Sequence, residues 1–124
     1  MEYLKLARPD GYYNYRDSNS IAMSVLGLFL ISDVSRGSDC LFFCEWALDN
    51  GQDCLSGNIT YLEKENGYIF LTDLYSEETE PTALQLTQKQ FIHILNEWEK
   101  ICKLRPSEVL IKYENGKFVI ETSN

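Results

Sequence analysis

Gly57–Asp73 reads GNITYLEKENGYIFLTD, two runs of aliphatic, aromatic and β-branched residues around Glu65-Asn66-Gly67-Tyr68. An Asn-Gly pair accepts the two positive φ angles of a type I′ turn, so the stretch predicts a two-residue hairpin. With Asn66 and Gly67 as the loop, Leu62 faces Leu71 and Lys64 faces Ile69. On the other sheet face Glu63 meets Phe70 and Tyr61 meets Thr72. The same device recurs at Asn115-Gly116, where Glu114 opposes Lys117, Tyr113 opposes Phe118 and Ile111 opposes Ile120.

Between the hairpins, Thr82–Leu86 alternates like a short strand, and a helix follows. Thr87 with Gln90 three residues on has capping-box spacing. Phe91, Ile94, Leu95, Trp98, Ile101 and Cys102 then recur at helical intervals until Arg105-Pro106. The order hairpin, strand, helix, hairpin predicts an α+β fold: an antiparallel β-sheet built from the two Asn-Gly hairpins, with one or two helices packed on it. Toward the N-terminus, Ser38 or Asp39 can cap a helix running to Asn50, with Gly51 as its stop. Cys40, Phe43, Cys44 and Ala47 face inward on it, while Glu45 and Asp49 share the other face beside Phe42 and Trp46. Ile21–Ile31 is apolar throughout except Ser24, and its period fits a buried strand or a helix. Tyr12–Tyr15 reads as a loop.

The 124 residues suit a single domain spanning 1–124, and 44% hydrophobic content supplies a core without disulfide or metal. Nineteen acids against eleven bases leave a net charge of −8. The excess is local. Asp33 to Glu80 holds eleven acids and two bases, Arg36 and Lys64, for −9; the remainder is +1. Such a chain repels phosphates, which excludes nucleic acid as a partner, and a single-sign segment marks an electronegative face. The N-terminus carries no secretory pattern, and the longest apolar stretch is far short of a bilayer span of ~20 residues. The expectation is a cytoplasmic protein with no membrane contact and four reduced thiols, Cys40, Cys44, Cys54 and Cys102.

Chemistry-bearing patterns are sparse. His93, the one histidine, falls opposite the Phe91–Trp98 stripe among Lys89, Asn96 and Lys100, outside any pocket a general base needs. Cys40 and Cys44 lie one helical turn apart, but Cys54 and Cys102 supply no second pair with zinc spacing. Their acidic surroundings disfavour a nucleophilic thiolate. No phosphate loop, nucleophile elbow or His-Glu-x-x-His occurs. The expectation is a binding module rather than an enzyme, with no catalytic residues, no metal and no cofactor.

Several of these segments carry a family likeness. Glu45–Leu48, Gly57–Lys64, Tyr68–Glu78 and Pro81-Thr82 resemble parts of bacterial immunity proteins from contact-dependent-inhibition and other polymorphic toxin systems. So do Gln90-Phe91, Asn96–Glu99, Arg105–Val109, Lys112–Gly116 and Ile120–Thr122, so the likeness runs from Glu45 to Thr122. It implies a cytosolic monomer that binds the C-terminal toxin domain of a cognate effector one to one and neutralises it. Many such toxins are nucleases, which need a cationic surface for their substrate, and an acidic inhibitor is steered to that surface. An acidic secretion chaperone and a nucleic-acid-mimicking inhibitor are the alternatives.

Interfaces draw their energy from a few aromatic anchors with charges at the rim. Two groups fit: Phe42 and Trp46 with Glu45, Asp49 and Asp53, and the acidic connection Asp73, Glu77, Glu78 and Glu80. Together they are the candidate toxin-binding residues.

Overall fold

The computed structural model describes residues 1–9, 11–34, 36–49, 51–77, 79 and 82–124. Both Asn-Gly turns take the left-handed backbone that they require, with φ of 54° and 84° at Asn66 and Gly67, and 53° and 76° at Asn115 and Gly116. Strands β4 (Thr60–Glu65) and β5 (Tyr68–Asp73) pair as expected, Leu62 with Leu71 and Glu63 with Phe70. Strands β7 (Glu108–Glu114) and β8 (Lys117–Ser123) pair with Tyr113 opposite Phe118.

The fold is α+β, and the hairpins belong to two different antiparallel sheets of four strands. One has the order β2-β1-β7-β8, where β1 is Glu2–Ala7 and β2 is Asn14–Ser18. The other has the order β3-β4-β5-β6, where β3 is Cys54–Ser56 and β6 is Leu84–Thr87. The Tyr12–Tyr15 segment is thus only half a loop: Asn14 and Tyr15 open β2, because Asn14 pairs with Ala7 and Tyr15 with Leu6.

Ile21–Ile31 is helical. Helix α1 (Ile21–Leu28) is capped by Ser20 and runs into a π-helical turn, Phe29–Asp33. It touches β1 and β2 of one sheet and β5 and β6 of the other. That placement explains its apolar run, broken at Ser24 alone, since two inner sheet faces close on it. A Cβ at Gly27 would lie 2.9 Å from Leu4 Cδ1, so a small residue sets the approach of α1 to β1.

Helix α3 (Gln88–Leu104) begins with the full capping box: Gln90 N–H donates to Thr87 Oγ1 at 3.1 Å, and Thr87 N–H to Gln90 Oε1 at 2.9 Å. It ends at Arg105, whose φ of 52° turns the chain and whose N–H donates to Ile101 O. Phe91, Ile94, Leu95, Trp98 and Ile101 are buried, and the Trp98 indole N–H donates to Val34 O at 2.7 Å.

Helix α2 (Gly37–Leu48) has Arg36 as its N-cap, rather than Ser38 or Asp39, and its C-cap is Asp49, ahead of Gly51. The Asp39 carboxylate accepts from Arg36 N–H, the half of a capping box that an acid at the third helical position can supply. Its end needs no glycine. Lys64 Nζ donates to Trp46 O at 2.8 Å and Asp49 O at 2.6 Å, and Gln88 Nε2 to Ala47 O at 2.8 Å. Side chains from β4 and α3 thus take the carbonyls that a C-terminal glycine motif would otherwise satisfy.

Candidate functional site

Helix α2 presents Phe42 and Glu45 to solvent, one turn from Asp49. Phe42 is 54% exposed. Together with the edge of Trp46 and with Gln52, they line a shallow depression of about 310 Å³. Beside it a second depression of about 270 Å³ is lined by Asp49, Asp53, Lys64, Glu65, Tyr68 and Gln88, among others. Asp49 belongs to both, so Glu45, Asp49 and Asp53 form one acidic surface. Glu65 joins it from the β4–β5 turn, and nothing in its local pattern sets it apart from the other acids of the segment.

Trp46 is not an exposed anchor. It is only 5% exposed, its ring centroid 6.2 Å from that of Phe91, with Lys64 Nζ 4.7 Å above the indole. Phe43, three residues earlier, is buried on the same side, and the i, i+3 spacing carries Trp46 inward with it. Phe42 is therefore the aromatic of this pair that a partner can reach. Lys64, one of two bases in the acidic segment, is held by helix carbonyls and an aromatic ring.

The second group lies elsewhere. Asp73 pairs with Thr60 at the far end of the hairpin, while Asp53 O accepts from Lys64 N–H near the turn. Four residues of strand, about 13 Å, separate the two places. The Asp73 carboxylate accepts from Tyr75 N–H at 2.9 Å, an Asx turn leading into the exposed Glu77. Glu78 and Glu80 lie outside the described residues. The seven described candidates thus resolve into an α2 surface (Phe42, Glu45, Asp49 and Asp53), a separate pair at and after the end of β5 (Asp73 and Glu77), and a buried tryptophan.

Asp33 has a role that charge counting misses. It is 8% exposed at the end of the π-helical turn, and its carboxylate accepts from the N–H groups of Asn58 (2.5 Å), Ile59 (3.2 Å) and Thr60 (3.1 Å) and from the Thr60 hydroxyl. A Cβ on Gly57 would stand 2.5 Å from Asp33 Oδ2. Gly57 is therefore the residue that lets this loop close over the carboxylate. The contact ties the start of β4 to the helices.

His93 is exposed and lines an open depression with Lys89 and Lys117. Burial pushes the Cys40 thiol up to about 12, with Cys102 and Glu99 adding to the shift, and raises Cys44 and Cys102 as well. These are thiols rather than thiolates at neutral pH. Cys102 lines a cleft of about 320 Å³ with Tyr13, Trp98 and Arg105, among others. Among the described residues no group of three or more His, Cys, Asp or Glu side chains could hold a metal ion. No single described helix is long and apolar enough to cross a membrane.

No protein-family model, curated protein or solved structure matches this chain.

Proposed function

We propose that this chain is an immunity protein: it binds the toxin domain of a cognate secreted effector, a cationic nuclease in the simplest case, and blocks it with an acidic surface. One observation carries the reading. Among the described residues the ion pairs are Glu97–Lys100, Glu99–Lys103 and Lys112–Glu121, all outside the acidic segment. Lys64, inside it, is engaged by backbone carbonyls and Trp46. Glu45, Asp49, Asp53, Glu63, Glu65 and Glu77 are exposed, so the segment faces outward with its charge uncompensated.

A surface of this kind speeds encounter with a basic partner and discriminates against acidic ones. Neutralisation follows from occupancy: a protein seated on a nuclease's substrate-binding face excludes the phosphate backbone that needs the same cations. No bond is made or broken, so the activity is binding alone.

The test is co-expression with the C-terminal toxin domain of the effector encoded beside this chain. Protection of the cells is the expected result, with association slowing as salt rises. Cells that die while both proteins are folded would overturn the proposal.

A further inference from the structure

The two sheets turn differently dressed outer faces to solvent. On the β2-β1-β7-β8 sheet the outward charges are of mixed sign: Lys112 pairs with Glu121, Glu114 stands opposite Lys117, and Lys5 stands opposite Asp17, whose carboxylate accepts from the Tyr3 hydroxyl at 2.6 Å. On the β3-β4-β5-β6 sheet, α1 and α3 pack against the inner face, where Leu62, Ile69, Leu71, Leu84 and Leu86 are buried. Its outer face carries Tyr61, Glu63 and Glu65 from β4 against Thr72, Phe70 and Tyr68 from β5. Glu63 stands directly across from Phe70, and Glu65 from Tyr68. These four strands contain one basic residue, Lys64, and alternation sends it to the other face.

We propose that this outer face, rather than the α2 surface, is where an arginine-bearing patch of a cationic protein docks. The chemistry is specific to a guanidinium. Arginine is planar and weakly hydrated, so it stacks on an aromatic ring while its N–H fork reaches a neighbouring carboxylate. A directly opposed cross-strand pair holds its Cβ atoms about 5 Å apart, which sets ring and carboxylate side by side for that double contact. Glu63 and Glu65, two residues apart on β4, are about 7 Å apart and suit two such side chains in succession. The Tyr61 hydroxyl belongs to the same surface: its pKa is raised, first by a hydrogen bond with Cys54, then by burial and by the charges of Cys54 and Glu63. Aromatic residues are also enriched at protein interfaces over the rest of a surface, as arginine is on the partner's side. A second copy of this chain would bring like charge to the same face. The proposal rests on the immunity reading for the identity of the partner, and on the sheet for the location.

The experiment uses the full chain and defined probes. Amide chemical shifts are followed while octa-arginine, and separately octa-lysine, is titrated in at about 150 mM salt. The expected perturbations centre on residues 61–72, with octa-arginine the tighter ligand. Glu63→Lys, which leaves Glu65 and its border with the α2 surface untouched, weakens octa-arginine about fivefold, whereas Glu45→Lys with Asp49→Lys changes it less than about twofold. Perturbations centred on α2 or on residues 73–77, equal affinity for the two peptides, or a dimer formed through this face would each overturn the proposal. The unmodified chain supplies the map, so a variant that fails to fold leaves the test intact. Failure here is also distinct from failure of the immunity reading. If the Glu63→Lys chain still protects cells as the unmodified chain does, the face is wrong and the function stands. If the unmodified chain gives no protection, the function is wrong, and the peptide map still judges the face.

Discussion

Asp33 and Gly57 make a pair whose energetics can be worked from the geometry. Replacing Asp33 with Ala removes the acceptor for four donors. Asn58 is exposed and Ile59 only partly buried, so both recover some bonding to water, but Thr60 is fully buried, and its N–H and hydroxyl are stranded. At about 1–3 kcal/mol for each unsatisfied buried group, Thr60 alone sets a cost on the order of 4 kcal/mol. A domain of this size is stable by roughly 5–15 kcal/mol, so the variant sits near the edge of folding. Its Tm falls by about 15 °C. Gly57→Ala acts from the other side. The new Cβ meets Asp33 Oδ2 at 2.5 Å and Cγ at 2.6 Å, an overpacking worth about 1–3 kcal/mol. In the Asp33→Ala background that carboxylate is gone, and Gly57→Ala then costs less than about 0.5 kcal/mol. Urea unfolding of the four chains, read by circular dichroism, closes the cycle. If the two single costs add to within about 0.5 kcal/mol, the contact is not what constrains Gly57. A loss below about 1 kcal/mol for Asp33→Ala would show that water replaces the carboxylate at Thr60.

Two further outcomes follow from buried groups. Lys64→Met keeps the aliphatic stem over Trp46 but withdraws the donors to Trp46 O and Asp49 O, and should destabilise by about 1–2 kcal/mol, with hydrogen exchange rising first at the end of α2. Unchanged protection across residues 45–49 would count against the capping role. The buried thiols predict a one-sided pH response. Cys40 stays protonated in the folded chain to about 12, against an ordinary 9.0, while the unfolded chain deprotonates first. The unfolded state therefore binds fewer protons, and stability that is complete below pH 9 declines as pH rises toward 12. Cys40→Ala should flatten that decline by about one proton's worth, about 1.4 kcal/mol per pH unit. An identical alkaline slope in the variant would assign the loss to other groups.

The parts legible in the sequence are those whose cause is local. Asn66-Gly67 and Asn115-Gly116 set both turn angles within two residues, and strand alternation then assigns each partner, so the pairs of both hairpins follow. The α3 capping box and the turn at Arg105-Pro106 are equally local. What the sequence conceals is non-local. Strand β1 pairs with β7 across about a hundred residues, with no turn to announce it, and this pairing puts the second hairpin in a sheet of its own. Helix α1 cannot be told from a strand because both sheets bury it. Helix α2 ends where Lys64 and Gln88 reach its carbonyls, so the nearest glycine misplaces its stop. Trp46 lies at the boundary of the exposed face of α2, and Phe91 on another helix decides which way it turns.

Charge shows the same division between count and placement. Asp33 enters the total as an acid of the central segment, yet its carboxylate is saturated by the Asn58–Thr60 backbone and the Thr60 hydroxyl. Lys64 enters as a base, yet it is turned onto α2. Withdrawing one charge of each sign leaves the segment's −9 intact and leaves Arg36 as its exposed base. What a partner meets is then set by distance. Asp53 near the β4–β5 turn and Asp73 at the far end are separated by about 13 Å of strand, more than the ~8 Å screening length at physiological salt. Each end therefore acts on a partner through its own field. Of the residues between them, Tyr61 lies within one screening length of the Asp73 end, and Glu63 and Phe70 within one of the Asp53 end, and there a carboxylate and an aromatic ring are fixed side by side by the sheet itself. Electrostatic attraction can bring a cationic protein to any part of this surface, but contacts that hold it in one register need that fixed spacing.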